Sequence, residues 1–167
     1  KKMERGHSAS DSFAAVNRLK RNGIKTGAQF MTGYPDESNE DFESTLNALK
    51  ELAPDFIRIY PFVPLVGSLI GKKIKNGEKR MIPVEKIIDR TAEMFHEAMR
   101  QNIPVIRIGL PLSEGMPDIY PHNLFQVVVA KAIENLAKNG EREFDIPDEW
   151  ETSFSMARKR YSDIERK

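Results

Sequence analysis

The 167-residue chain has 26 basic and 25 acidic residues, a formal net charge of +1 and a hydrophobic share of 40%. These values are typical of a soluble globular protein with one core, and they argue against bulk electrostatic attraction to nucleic acid or an anionic membrane. No stretch approaches the ~20 apolar residues that cross a bilayer, so we expect a cytoplasmic protein without a membrane partner. Cysteine is absent, which excludes a disulfide, a thiolate zinc site and an iron–sulfur cluster held by this chain itself.

Hydrophobic periodicity predicts an α-β-α-β-α-β order in the first part of the chain. The helical segments end at stop signals such as Asn22-Gly23 and Pro54, and the connections are short. Such units favour neighbouring parallel strands, which gives an α/β fold. The predicted elements are helices over 8–22, 40–52 and 83–102, strands over 24–32, 56–60 and 104–110, and a polar loop over 72–80.

The remainder of the chain reads as a separate, mainly helical region. Residues 111–121 are rich in Pro, Gly and Ser and indicate an irregular loop. A helix is predicted over 124–138, and a last amphipathic helix starts at Pro147. We therefore divide the chain into residues 1–110 and residues 111–167.

The turn after the first strand is the strongest local feature. Gly33 permits a positive φ, Pro35 holds its neighbour extended, and Ser38 is placed to cap the next helix. One interpretation is a plain connection between strand and helix. The other is a ligand site, in which Gly33 lets the backbone approach an adenosine or carboxylate group and Glu37 either caps the helix or accepts a ligand hydroxyl or amine.

Two arginines occupy apolar strands. Arg58 lies between Ile57 and Ile59, and Arg107 repeats the pattern on the third strand. They form either separate salt bridges or an anion-binding interior. The chain shows no nucleophile with a base at recognisable spacing, no H-E-x-x-H motif and no Walker loop, so a hydrolase is unsupported.

Four motifs together resemble the radical S-adenosylmethionine superfamily. The nearest branches are the oxygen-independent coproporphyrinogen III oxidase-like proteins and the radical domain of the elongator acetyltransferase subunit. The motifs are R-G-H-S at 5–8, M-T-G-Y-P-D-E-S at 31–38, P-D-F-I-R-I-Y-P at 54–61 and V-G-S-L at 66–69. The strand at 104–110 is also similar to one in these branches.

The resemblance implies the carboxyl-terminal half of a partial (β/α)6 barrel of the TIM type, with a helical extension. It implies an oxidoreductase parent that uses S-adenosylmethionine and a [4Fe-4S] cluster. In this branch Arg5 would lie near the cofactor's ribose or carboxylate, Met31 and Gly33 would line the adenine pocket, and Tyr60 and Pro61 would offer backbone contacts. Glu37, Arg58 and Arg107 are candidates for the substrate side.

The superfamily's C-x3-C-x2-C cluster loop and its first four strands are missing. We therefore expect a fragment that is inactive alone, whose partner is the missing N-terminal half. A half barrel leaves a sheet edge open, which predicts pairing with a second copy. Two other functions stay open: a non-redox α/β module that binds a nucleotide-type ligand, and an RNA-associated accessory of a transfer-RNA modifying enzyme, suggested by basic stretches at 72–80 and 158–160.

Overall fold

The computed structural model describes residues 6–110 and 117–167. In chain order its elements are α1 (Ala9–Arg21), β1 (Gly27–Thr32), α2 (Asn39–Leu52), β2 (Phe56–Pro61), α3 (Leu69–Lys75), α4 (Val84–Arg100), β3 (Val105–Ile108), α5 (Leu124–Lys138), β4 (Glu143–Phe144), a 3-10 turn (Asp148–Trp150), α6 (Glu151–Arg158) and β5 (Glu165–Arg166).

The main sheet has three parallel strands in the order β1-β2-β3. This confirms the predicted α/β class and the neighbouring parallel strands. In the register, Met31 lies beside Tyr60, and Arg58 lies between Gln29 and Arg107. The β2–β3 pairing is irregular between Ile57 and Arg58. This irregularity decides which β3 residue stands beside Arg58.

The helix boundaries follow local signals in the sequence. Ser8 and Ser38 each accept a hydrogen bond from a backbone N–H three residues later, and an aspartate at that position bonds back to the serine N–H. These are capping boxes, which satisfy backbone donors that the helix leaves free. α2 ends at Ala53, which has a left-handed backbone with φ 40°. The observed strand β1 begins at Gly27, later than the predicted start at Ile24, because Ile24 lies in the exposed connection after Gly23.

The polar loop predicted over 72–80 is wrong in its first part, which forms α3. The side chain of Ser68 accepts a hydrogen bond from the N–H of Gly71 at 3.0 Å and caps the helix. Lysine is a good helix former, so the basic run continues the helix up to Lys75. The basic run had suggested a solvated loop, whereas charge alone does not oppose a helix.

The carboxyl-terminal region is helical, as expected. The predicted helix over 124–138 is confirmed as α5, while the last helix is divided into a 3-10 turn and α6. The two short strands β4 and β5, which pair in parallel, were not predicted, because strands of two residues show no periodicity. The loop prediction over 111–116 lies outside the described residues.

The core occupies one face of the main sheet. Ile57 and Ile59 are fully buried there and belong to an apolar cluster that continues through α2, α4, α5 and α6. α5 packs against α4, and the division at residue 110 stays a prediction. The other face exposes Gln29, Arg58 and Arg107. None of the helices in the described ranges is long and apolar enough to span a membrane.

Candidate ligand site at the carboxyl ends of the strands

A cavity of about 480 Å³ opens at the carboxyl ends of β1 and β2. Its size is typical of pockets that hold small molecules, and the carboxyl end of parallel strands is where such pockets usually form. Its lining is mostly apolar with a few polar groups. The lining residues are Gln29, Met31, Tyr34, Tyr60, Pro61, Phe62, Val63, Leu65, Ser68, Leu69, Ile70, Lys73, Lys79 and Leu110.

The strand ends supply the wall on the sheet side. Met31 and Tyr60 are register partners on adjacent strands, so their side chains stand together on this face. The N–H of Phe62 donates to the carbonyl of Thr32 at 2.8 Å, which continues the pairing past the strands. The ring of Tyr34 meets that of Phe62 edge to face, with centroids 5.6 Å apart. The sheet side of the cavity is therefore aromatic and ordered by backbone hydrogen bonds.

Gly33 lies beside the cavity and does not line it, although Met31 and Tyr34 on either side of it do. Its φ is +80°, and a Cβ built on it would lie 2.5 Å from Cγ1 of Ile87 in α4. The sequence correctly indicated a glycine turn. The close approach of α4 is a second reason for glycine, and only the folded structure reveals it.

The Gly33 turn is held by a buried ion pair. Arg90, on α4, places Nη1 at 2.5 Å from Oε2 of Glu37, and the two side chains are only 4% and 7% exposed. The N–H of Gly33 donates to the same carboxylate oxygen at 3.1 Å. Burial raises the pKa of Glu37, while the Gly33 N–H and Arg90 act in the opposite direction.

The other atoms of Arg90 also bind the turn. Nη1 donates to the carbonyl of Glu37, and Nη2 donates to the carbonyl of Ser38 and to Oδ1 of Asn39. The guanidinium lies 5.2 Å from the ring centre of Phe42. Arg90 therefore fixes the start of α2 relative to α4. Sequence reasoning missed this residue, although it falls on the apolar stripe of α4 between Ile87 and Met94.

The opposite side of the turn is tied to the segment after α3. The N–H of Asp36 donates to the carbonyl of Arg80, and the N–H of Arg80 donates back to Oδ1 of Asp36, each at 3.0 Å. Nζ of Lys79 lies 2.9 Å from Oδ2 of the same aspartate. These hydrogen bonds hold the pKa of Asp36 below its ordinary value, with the Lys79 side chain as the largest cause. Lys79 thus reaches the cavity from a fixed loop.

A smaller cavity of about 200 Å³ adjoins the first at Pro61, Val63 and Leu110. Its far side is formed by the loop before α5, where the hydroxyl of Tyr120 donates to the carbonyl of Phe62 at 2.6 Å. A phenol is protonated at neutral pH with its ordinary pKa, and burial raises the pKa of Tyr120 further. This hydrogen bond attaches the carboxyl-terminal region to the end of β2.

The sequence-predicted site residues fall into three groups. Met31, Tyr60 and Pro61 come together at the cavity, with Gly33 beside it. Glu37 lies in the ion pair with Arg90, and its ligand role stays a prediction. Arg58 and Arg107 are register partners on the open face, while Arg5 lies outside the described residues.

Metal ligands do not gather in the part of the chain that the structure describes. Within residues 6–110 and 117–167, no group of three or more His, Asp or Glu side chains is placed to hold a metal ion. The full sequence contains no cysteine. The residues present therefore do not fit an iron–sulfur cluster.

The chain is similar to known proteins across most of the described fold. The family described as Radical_SAM C-terminal domain matches residues 54–138. A tRNA-2-methylthio-N(6)-dimethylallyladenosine synthase from Alkalilimnicola ehrlichii is 30% identical over 106 residues, which cover 59% of this chain and 24% of that protein. A tRNA uridine(34) acetyltransferase from Methanocaldococcus infernus is 29% identical over 92 residues, which cover 53% of this chain and 17% of that protein.

A solved structure shows the same fold. The Methanocaldococcus infernus Elp3 with an N-terminal deletion superposes with a TM-score of 0.58 at 24% identity. The match covers 84% of this chain and 34% of the Elp3 chain. The chain thus spans about a quarter of the length of the first curated relative and about a third of this structural neighbour. The predicted fold, a partial barrel with a helical extension, is confirmed.

Proposed function

The chain belongs to the Radical_SAM C-terminal domain family, and from this we propose that it forms the closing part of a radical S-adenosylmethionine barrel and shapes one side of the cofactor pocket. Members of the superfamily use S-adenosylmethionine and a [4Fe-4S] cluster, which together supply hydrogen-atom abstraction. The single observation that carries the proposal is the cavity at the carboxyl ends of β1 and β2, because Met31, Tyr60 and Pro61 meet there.

The cavity residues fit the nucleoside part of the cofactor. Tyr34 and Tyr60 offer aromatic surface, Met31 offers a polarizable thioether, and Gln29 offers one amide donor and acceptor. A cavity of about 480 Å³ lies within the size range of ligand pockets. In this role the chain's own residues bind and orient the ligand and exclude water from one side of it.

The cluster must come from elsewhere, because the chain has no cysteine. We propose that a segment with the cluster cysteines completes the barrel, as expected for the missing N-terminal half. On this view the chain alone is inactive. The non-redox α/β binding module remains the alternative, and a coding sequence with C-x3-C-x2-C ahead of Lys1 would decide against it.

The test is a titration of the chain with S-adenosylhomocysteine, monitored by the methyl resonances of its methionines. Met31 lines the cavity, whereas Met94 is fully buried in the core. We expect the Met31 methyl resonance to shift and saturate while Met94 stays unchanged. A Met31 resonance that does not move at millimolar ligand, or that moves only together with Met94, contradicts the proposal. Adenosine and methionine, titrated separately, show which half of the ligand is bound.

The reaction of the complete protein is a further proposal. The relatives above are named for transfer-RNA modification, which favours a nucleic-acid substrate for the parent. The oxygen-independent coproporphyrinogen III oxidase-like assignment and its oxidoreductase activity stay predictions from the motif resemblance. Cytoplasmic location also stays a prediction.

One observation supports contact with RNA. Lys73 and Lys79 line the cavity, and Lys72 and Lys75 stand on the same short helix, α3. Of the two basic stretches predicted as RNA contacts, the one over 72–80 therefore lies at the cavity. We expect the chain to retain transfer RNA in a salt-dependent manner, and Lys72→Gln with Lys75→Gln to weaken retention. Arg158→Gln with Lys159→Gln removes the same charge from the other basic stretch, and equal retention of transfer RNA by the two double variants would refute a contact specific to α3.

The edge of β1 that faces away from β2 is where we expect a strand of the missing N-terminal half to pair. Among residues 6–110 and 117–167, β1 pairs with β2 alone, which leaves the backbone groups of its other edge for a further strand. We propose that the N-terminal half pairs there, and that the isolated chain pairs with a second copy. Sedimentation should show a dimer that dissociates on dilution, whereas a monomer at every accessible concentration rules the dimer out.

A further inference from the structure

The open face of the main sheet carries a polar row that crosses all three strands. Gln29, Arg58 and Arg107 are register partners on β1, β2 and β3, and all three are exposed. The next row toward the carboxyl ends is Met31 and Tyr60, and the next row in the other direction is Gly27 and Phe56. The arginines therefore form a charged band between two rows without charge.

This band adjoins the cavity. Gln29 is the end of the row and also lines the cavity, as do Met31 and Tyr60 one step further along their strands. Adjacent parallel strands are about 4.8 Å apart. A molecule in the cavity that extends along the open face would therefore meet Arg58 first and Arg107 next.

The two guanidinium groups have no acidic partner within the described residues. Other arginines there do: Arg90 pairs with Glu37, Arg100 with Glu97 and Arg160 with Glu134. The register partners of the open face include no acid either. Two like charges therefore stand side by side on adjacent strands of this face.

Exposed like charges repel each other weakly in water, but their repulsion grows when they are enclosed away from solvent. If the chain closes a barrel, as the proposed function requires, this face turns inward and solvent screening falls. Two enclosed positive charges then need negative charge beside them. A carboxylate would neutralise one guanidinium, whereas a phosphate monoester carries close to two negative charges and several acceptor oxygens. The charge of the row therefore matches phosphate better.

We propose that Arg58 and Arg107 form a phosphate site on the inner face of the barrel, beside the ligand cavity. The site takes a phosphate monoester, with each guanidinium donating to its oxygens. Gln29 supplies an uncharged donor at the cavity end of the row. The inference rests on the proposed function only in placing this face inside a barrel.

The test titrates the 167-residue chain with inorganic phosphate at pH 7.5 and constant ionic strength, following the arginine Nε–Hε resonances. We expect saturable shifts for Arg58 and Arg107. Arg58→Gln and Arg107→Gln should each weaken binding about tenfold, the loss expected for a charge-assisted hydrogen bond. Arg21→Gln, on the exposed surface of α1, is the control and should leave the affinity unchanged.

Two comparisons decide between phosphate and a general anion effect. Acetate at the same ionic strength should bind more weakly, and lowering the pH to 5.5 should weaken phosphate binding because phosphate then loses negative charge. Three results overturn the proposal: linear shifts that are equal at all arginines, an unchanged affinity in a variant that combines Arg58→Gln with Arg107→Gln, or acetate binding as tightly as phosphate. If a glutamine variant fails to fold, Arg58→Lys takes its place. It keeps the charge but not the planar guanidinium, and it should bind phosphate with an affinity between those of the parent chain and a variant without the charge.

The outcome is separable from that of the proposed function. A shift of the Met31 resonance by S-adenosylhomocysteine without phosphate binding leaves the cofactor pocket and removes the phosphate site. Saturable phosphate binding that depends on both arginines, without a Met31 shift, leaves the phosphate site and contradicts the cofactor pocket.

Discussion

The two faces of the main sheet use arginine in opposite ways. On the packed face, Arg90 reaches from α4 to the turn after β1, is 4% exposed and donates to one carboxylate and three other acceptors. On the open face, Arg58 and Arg107 stand side by side, exposed, without a carboxylate partner in the described part of the chain. Arginine therefore holds two structural elements together on the packed face, whereas on the open face it presents unpaired positive charge within the described residues.

The difference shows where the fold is complete. A buried arginine needs its acceptors within the structure, because an uncompensated buried charge is costly. Arg90 has all of them, so the packing of α4 on the Gly33 turn is self-sufficient. The described residues offer no such compensation on the open face, which fits the proposal that another part of a barrel covers it.

The largest effect is expected from removing Arg90. Arg90→Met should lower the free energy of unfolding by about 3–5 kcal/mol, because it leaves Glu37 buried and unpaired. Urea denaturation measures the loss. Arg100→Met removes an arginine whose side chain is 60% exposed and should cause no resolvable change. Adding Glu37→Leu to Arg90→Met should restore part of the stability, and no recovery would show that the charge is not the cause.

Substitutions at two neighbouring residues of β2 should differ strongly in their effect on the free energy of unfolding. Ile59→Ala removes a fully buried side chain on the packed face and should cost about 2–5 kcal/mol of unfolding free energy. Arg58→Ala, on the open face, should change it by no more than about 0.5 kcal/mol. Thermal and urea unfolding of both variants test this. A similar loss in the two would mean that the isolated chain covers its open face, for example by self-association.

Two glycines with similar backbone angles form a matched pair. Gly33 and Gly67 have φ values of +80° and +83°, but a Cβ at Gly33 meets Ile87, whereas at Gly67 nothing lies within 4 Å. Gly67→Ala should cost about 1–2 kcal/mol from the left-handed backbone alone. Gly33→Ala should cost a further 1–3 kcal/mol, roughly, from overpacking. Equal losses in urea unfolding would show that α4 moves away without cost.

The smallest effect concerns pH. Asp55 accepts hydrogen bonds from the N–H and hydroxyl of Thr26, and the N–H bond is the main cause of its lowered pKa. A carboxyl with a lowered folded-state pKa stabilises the fold above its ordinary pKa of about 4, and this stabilisation is lost as the pH falls through the lowered value. Asp55→Asn should therefore reduce the change in urea midpoint between pH 6 and pH 3.

A steeper pH dependence in Asp55→Asn than in the parent chain would contradict this assignment. Glu37 acts with the opposite sign. Its pKa is raised, chiefly by burial, so its own contribution to stability falls as the pH rises through the interval between its ordinary and its raised pKa. The opposite signs of the two pH dependences distinguish the exposed carboxyl of Asp55 from the buried carboxyl of Glu37.

Much of the fold follows from short-range signals. The capping boxes at Ser8 and Ser38, the stop at Gly23, the apolar periodicity of α4 and the Asn139-Gly140 stop after α5 place the helices within a few residues of their observed bounds. These signals act between residues three or four positions apart, so the sequence displays them directly. The same approach failed at α3, where seven residues with several lysines gave no apolar stripe, and at the two-residue strands β4 and β5.

The candidate site was predictable in part. The motif resemblance selected Met31, Tyr60 and Pro61, and these residues do meet at one cavity. It did not select Lys73, which reaches the cavity from α3, a helix that the sequence did not predict, or Lys79, which reaches it from the loop after α3. Nor did it indicate that Glu37 faces Arg90, because the two residues are 53 positions apart.

The sequence by itself determined the α-β-α-β-α-β order that builds the main sheet, the parallel pairing of its three strands and the absence of any cysteine for a cluster. Only the tertiary structure decided that Arg90 holds the Gly33 turn and that Arg58 stands beside Arg107 on one face. The reason is the range of the interactions. Caps and periodicity act within one or two turns of a helix, whereas an ion pair across 53 residues and a register set by an irregular strand pairing exist only once the elements have packed.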